Sequence, residues 1–180
     1  MKIQQQRKRF ITVLYMAGFL IGIFYANLVE RKYMTANGIF SEYFLSQYIA
    51  IDVEAEEYML YVMKTRLLPL VCLFIAAQTK FKKVTVMCCI LWTGFSSGML
   101  IVASVLQLGA KGILLCLIGI TPHFVFYIMA YLVILWYLGN SPVSTWNRGK
   151  SVFVVLTMAL GILTEVYVNP ILMKLFVNAM

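Results

Sequence analysis

Two polar side chains stand out because apolar residues surround them: Glu165 in ALGILTEVYVNP and His123 in GITPHFVF. A carboxylate and an imidazole inside apolar runs are the pieces from which an ion or proton path is built. A charge at the centre of a bilayer costs at least about 2.5–3.5 kcal/mol on insertion scales and is kept only where protein or water surrounds it. Two plainer readings of Glu165 stand beside that one. Counting back from Asn169 puts it roughly 7 Å inside the outer boundary of its run, within reach of the interface. An internal structural hydrogen bond is the other. His123 lies deeper in its own run, and simple helices would set the two groups at depths that differ by roughly 9 Å. Contact then requires the His123 run to be broken or re-entrant, and a histidine beside Pro122 also serves simply to cap a broken helix.

The remaining chemistry-bearing residues form no constellation. Cys72, Cys88, Cys89 and Cys116 all sit in apolar runs without a CxxC, and a lone histidine cannot complete a zinc site. They read as small apolar residues, and no metal or cofactor is expected. There is no phosphate-cradling glycine loop, no HExxH and no second histidine for a triad. An intramembrane aspartyl protease needs two aspartates in its spans, whereas Asp52 is the only aspartate and lies between spans. The expectation is a protein that is not an enzyme.

The elements that must position these residues are membrane spans. The chain is 62% apolar and 12% charged, about half the charged fraction of a soluble domain, and its mean hydropathy is +0.87. The net charge of +8 sits in short clusters between apolar runs rather than in a stripe, so no nucleic acid is expected. The pattern predicts an all-α polytopic membrane protein, residues 1–180 forming a single integral membrane domain with about five transmembrane helices, near 10–29, 58–79, 84–106, 112–138 and 152–168. The first has the basic head of a signal peptide, but it is long for one and lacks a small-x-small cleavage site, so it reads as an uncleaved span. Pro69 is expected to kink the second, with Tyr58, Tyr61, Lys64 and Arg66 near the interface. The fourth run is long for one helix and is interrupted at Thr121-Pro122-His123. It reads as one kinked helix or as a broken one, a short re-entrant helix over 112–121 followed by a full span. The fifth ends at Asn169-Pro170, leaving a short tail.

Residues 30–57 differ in kind. They hold six of the seven acids and form an acidic outer arm. Within it Ile39, Phe40, Tyr43, Phe44, Leu45 and Tyr48 recur at helical spacing, which predicts a short amphipathic helix on the membrane or on a partner. Tyr43, Phe44, Tyr48 and Tyr58 are the candidate partner-binding residues, since tyrosines supply large, rigid contact area and the surrounding charge selects the partner. The plainer reading is an aromatic belt resting on the lipid bilayer. Lysines and arginines gather in 1–9, 80–83 and 139–151, where there are no acids, so the positive-inside rule places the N-terminus in the cytoplasm and the C-terminus outside. Gly18-x-x-x-Gly22 and Gly94-x-x-x-Gly98 mark faces where helix backbones approach closely. They suit packing within the chain, or pairing of two copies as a homo-oligomer.

Several stretches in order carry a family likeness: FITVLYMAGFLIGIFYANLV, EYFLSQY, TGFSSGMLIVASVL, KGILLCLIGITPHFVFYIMAYLVIL and LTEVYVNPILMKLF. Through them the chain resembles the stage II sporulation protein M family of integral membrane proteins. Pro122-His123 and Glu165 followed by Asn169-Pro170 are the more specific marks. Many relatives carry a glycine, a glutamate and a second proline after the Pro-His, where this sequence has Phe124, Tyr127 and Met129, so any role of that carboxylate does not carry over. The resemblance implies a scaffold in the bacterial cell membrane, the mother-cell membrane during sporulation. It would retain two peptidoglycan-degrading partners, stage II sporulation proteins D and P, for septal thinning and engulfment. The rival reading from the residues is a transporter subunit or accessory permease using Glu165 and His123.

Overall fold

The structure, a computed structural model, describes residues 2–28, 41–50, 54–140 and 144–179. Every regular element among them is helical. In chain order these are α1 (Lys2–Leu28), α2 (Glu42–Ala50), α3 (Ala55–Ala77), α4 (Lys82–Leu108), α5 (Ala110–Ile120), α6 (His123–Gly139), α7 (Arg148–Leu163), a π-helical turn (Thr164–Val168) and α8 (Asn169–Ala179). Four stretches are long and apolar enough to cross a bilayer: Arg9–Leu28, Ala55–Ala76, Lys82–Leu108 and Arg148–Ala179. The α5–α6 pair, bent by 62° at its break, raises the count to five if it acts as one span. The chain is an all-α, multi-pass membrane protein. Of the acidic arm, Glu30, Arg31, Lys32, Tyr33, Ile39, Phe40 and Asp52 lie outside the described residues, as do 141–143 of the last predicted loop.

The break in the fourth run falls where the sequence put it. Pro122 offers no N–H to the preceding turn and disfavours helical backbone at the residue before it. The Thr121 hydroxyl bonds back to the Leu117 carbonyl at 2.5 Å and helps close the α5 end. At 11 residues, α5 reaches only about 16 Å and cannot span a core of about 30 Å alone.

The described residues fall into two compact units, and the chain passes from one to the other at the end of α2, within α4 and within α5. The first unit holds α1, α2, α4 from Met87 and α5 through Cys116. Its defining contact is backbone on backbone between α1 and α4. A Cβ added at Gly18 would lie 2.3 Å from the Leu91 carbonyl oxygen, and one at Gly22 2.2 Å from that of Phe95. Reciprocally, a Cβ at Gly94 would meet the Tyr15 carbonyl and one at Gly98 the Phe19 carbonyl, each at 2.4 Å. The two glycine faces therefore fill each other, and fully buried Ala26 continues the small-residue stripe of α1. The hydroxyls of Tyr15 and Ser97 add a 2.9 Å hydrogen bond beside the crossing.

The second unit comprises α3, α6, α7, the π turn and α8. Along α6 the buried residues are His123, Tyr127, Ala130, Ile134 and Leu138; along α7 they are Val154, Thr157, Met158, Gly161 and Ile162. The α6 set recurs every three or four residues and the α7 set follows the same helical period in adjacent pairs, one stripe against another. Asn147 caps α7, its side-chain oxygen accepting the Lys150 N–H at 3.0 Å.

The helix does not stop at Asn169-Pro170, where the sequence reading ended the fifth span. It continues through the π turn to Ala179. In α-helical register Pro170 would owe a hydrogen bond to the carbonyl of Val166 and its ring would clash there. The wider π turn changes that register: the Asn169 N–H bonds Thr164 instead, and the chain passes the proline without leaving the helix.

The α1–α4 crossing yields a direct expectation. Gly22→Leu forces the two backbones apart and destabilises the chain by about 1–3 kcal/mol, the usual cost of overpacking. Gly139→Ala, which adds a methyl where nothing lies within 4 Å, leaves stability unchanged. Folded yield and thermal unfolding in detergent compare the two.

Candidate functional site

The polar centre of the second unit is built from α3, α6 and the π turn. Arg66 is the central residue of the 23-residue α3, far from the interface where the sequence reading set it. Its guanidinium forks onto Glu165, with Nε donating to Oε2 at 3.0 Å and a terminal nitrogen to Oε1 at 2.5 Å. This bidentate geometry is the strongest way to pair an arginine with a carboxylate. Tyr127 of α6 donates its hydroxyl to the same Oε2 at 2.6 Å, and the Arg66 guanidinium lies 5.2 Å from the centre of the Tyr127 ring. Glu165 is 7% exposed, and the Arg66 side chain 37%.

Each placement has a local cause. The π turn widens the helix at Glu165, which both rotates the carboxylate toward α3 and accommodates Pro170 downstream. Gly161, one turn before Glu165, leaves room for the Tyr127 ring: a Cβ there would sit 2.5 Å from the ring's Cε1. Tyr131, one turn beyond Tyr127, donates to the backbone carbonyl of Arg66 at 3.3 Å, a second tie from α6 to α3.

The depth argument for Glu165 changes with the helix. With α8 in continuation, roughly 21 Å of helix lies beyond Glu165, so the carboxylate sits well inside the span. His123, 5% exposed, packs edge-on against Tyr127 with ring centroids 5.9 Å apart. It reaches the Glu165 cluster through that ring. Its Nδ1, like the Asn169 side-chain oxygen, is buried with no hydrogen-bond partner among the described residues.

The other candidates lie elsewhere. Tyr43 and Phe44 of α2 point outward, 73% and 45% exposed, while Leu45 is buried and Tyr48 half-buried. The Tyr43 hydroxyl accepts from the Gln47 amide at 2.7 Å, and burial pushes the Tyr48 phenol up from its ordinary range. Tyr58 belongs to the other unit, half-buried near the start of α3, where Glu56 and Glu57 occupy the first turn. The four cysteines are free, and no cluster of metal-binding side chains occurs among the described residues.

Sequence reasoning missed Arg66, Tyr127 and Gly161. Part of the signal for Arg66 was available: two bases, Lys64 and Arg66, in the middle of one span and one acid in another call for a pairing, though not for which base makes it. Tyr127 and Gly161 carry no such mark, because which ring faces which gap is set by how α6 packs on α7.

Breaking a fully buried pair on one side costs about 3–5 kcal/mol, and this pair, buried at Glu165 but part-exposed at Arg66, sets that range as an upper bound. Arg66→Leu and Glu165→Leu should each collapse folded yield, Glu165→Gln should do so less, and the Arg66→Leu/Glu165→Leu double variant should recover most of the loss. Thermal unfolding of the four purified proteins reads the cycle, and additive losses would show that the pair is not coupled.

Compared with models of protein families, with curated proteins and with solved structures, the chain finds no match.

Proposed function

We propose that this chain is a membrane scaffold that anchors and localises peptidoglycan-degrading partners during sporulation septal thinning and engulfment. The observation that carries the reading is the engagement of Glu165. Both oxygens of the carboxylate inside the spans are taken by Arg66 and Tyr127, so it bolts three helices together. A locked second unit, and in the first unit a helix with exposed aromatics, suit an anchor. The family resemblance supplies the class of partner, stage II sporulation proteins D and P.

On this reading the chain lies in a bacterial cell membrane with its N-terminus in the cytoplasm and its C-terminus outside. The distribution of basic residues supports that orientation. The arm then faces the cell wall, where hydrolases work, and Tyr43 and Phe44 are its exposed contacts.

One observation favours a second reading, a transporter subunit. His123 holds a buried ring nitrogen without a hydrogen-bond partner among the described residues, beside the Glu165 cluster. Proton- or ion-dependent uptake in vesicles that Glu165→Gln abolishes would establish it in place of the scaffold.

Two outcomes test the scaffold. An engineered thiol at Glu54 should react with an impermeant reagent added from outside while one at Lys82 stays protected; the reverse pattern inverts the chain. Replacing Tyr43, Phe44 and Tyr48 by Ser should abolish co-purification of the wall-degrading partners without lowering membrane insertion. Undiminished co-purification would remove α2 from the interface.

A further inference from the structure

Between α3 and α7, within the second unit, runs an apolar cleft of about 260 Å³. Leu67, Leu70 and Phe74 form one wall, and Val155, Met158 and Ala159 lie along the other. Both walls belong to spans, so the cleft lies along the hydrocarbon core. A water molecule's share of liquid volume is about 30 Å³, and a methylene is of similar bulk, so the space takes roughly eight or nine methylenes. From Ser151 to Ile162, the lining residues at its two ends on α7, it runs about 16 Å along the helix.

The two ends differ in chemistry. At the deep end Leu67 follows Arg66, and Ile162 precedes Glu165 by one turn on the same helix. At the other end stands an aromatic cluster: the Trp146 ring meets Phe74 at 5.3 Å and Tyr137 at 5.1 Å, and its N–H bonds the Ser151 hydroxyl at 2.7 Å. Such tryptophan and tyrosine groups sit at headgroup depth. Charge there has one sign. Arg148 is exposed, and Lys150 is held over the Trp136 and Tyr137 rings. The Lys150 ammonium donates to the Ser144 hydroxyl at 3.2 Å and the Thr145 carbonyl at 2.5 Å, which leaves one of its three protons without an oxygen acceptor among the described residues. The sequence contains no acid from residue 58 to residue 164.

We propose that the second unit binds one anionic phospholipid, about half of one acyl chain lying in the α3–α7 cleft and the phosphate meeting Arg148 and Lys150. An apolar cleft whose outer end is Ser151, next in sequence to Lys150 and three residues from exposed Arg148, fits an amphiphile with one negative end. Occupancy also seals the flank of α3 and α7 that adjoins the Arg66–Glu165 pair, so binding stabilises the folded bundle by mass action.

Native mass spectrometry of the full chain in detergent, offered phosphatidylglycerol and phosphatidylethanolamine of matched acyl chains, tests this. One phosphatidylglycerol should be retained per chain in preference to phosphatidylethanolamine. Arg148→Gln should cut that preference by about fivefold, the effect of one basic side chain near the surface. Ala159→Trp, which fills the cleft from an exposed position, should lower retention of both lipids; Val155→Trp does the same should the first variant not accumulate. Equal retention of the two lipids by the unaltered chain overturns the proposal. So does undiminished retention in either folded tryptophan variant, and so does a cleft filled by detergent or by a second copy of the chain with no phospholipid retained.

Discussion

A charge in hydrocarbon must be neutralised, bonded and covered at once, and the second unit is organised around meeting that demand for Arg66 and Glu165. Each group alone would disfavour insertion of its span; together they form a forked pair, with Tyr127 taking up remaining acceptor capacity on the carboxylate. Three elements distant in sequence must then meet at one depth. The demand fixes the rotation of α3, the register of α6 and the turn geometry at 164–168 together. It also accounts for two features that look unrelated, the absence of a side chain at Gly161 and the π turn before Pro170.

The first unit reaches the same end, a specified helix contact in lipid, by a different route. Lipid tails are as apolar as leucine, so burying apolar surface does not hold helices together there. Removing side chains does, because it lets backbones touch and gain dispersion contacts. Gly18 and Gly22 on α1 lie against carbonyls of α4, and Gly94 and Gly98 lie against carbonyls of α1. Shape specifies one unit and charge the other.

These two devices each use up the groups that build them. In the second unit the paired polar groups are committed to an internal lock, and in the first the glycines are committed to an internal crossing. What faces outward is the aromatic face of α2 and, at the Trp146 end of the second unit, a basic margin.

Spans, their approximate ends and the break at Pro122 were legible in the sequence because each is local. Apolar run length against bilayer thickness sets a span, a missing N–H sets a break, and glycines four apart set a close-packing face. The buried pair was only half legible. Glu165 announced itself, but Arg66 was assigned to the interface because snorkelling is a sufficient local account of an arginine within a span. The termination at Asn169-Pro170 followed the ordinary rule for proline and gave way to a π turn, whose register the sequence alone does not reveal. Tyr127 and Gly161 were invisible, since an aromatic and a glycine in a span have many uses. Local chain chemistry thus determined where the helices are. The packing of α6 on α7, and of both on α3, decided which side chains meet, because a contact between distant residues is fixed by helix rotation and depth, and neither is written in any one segment.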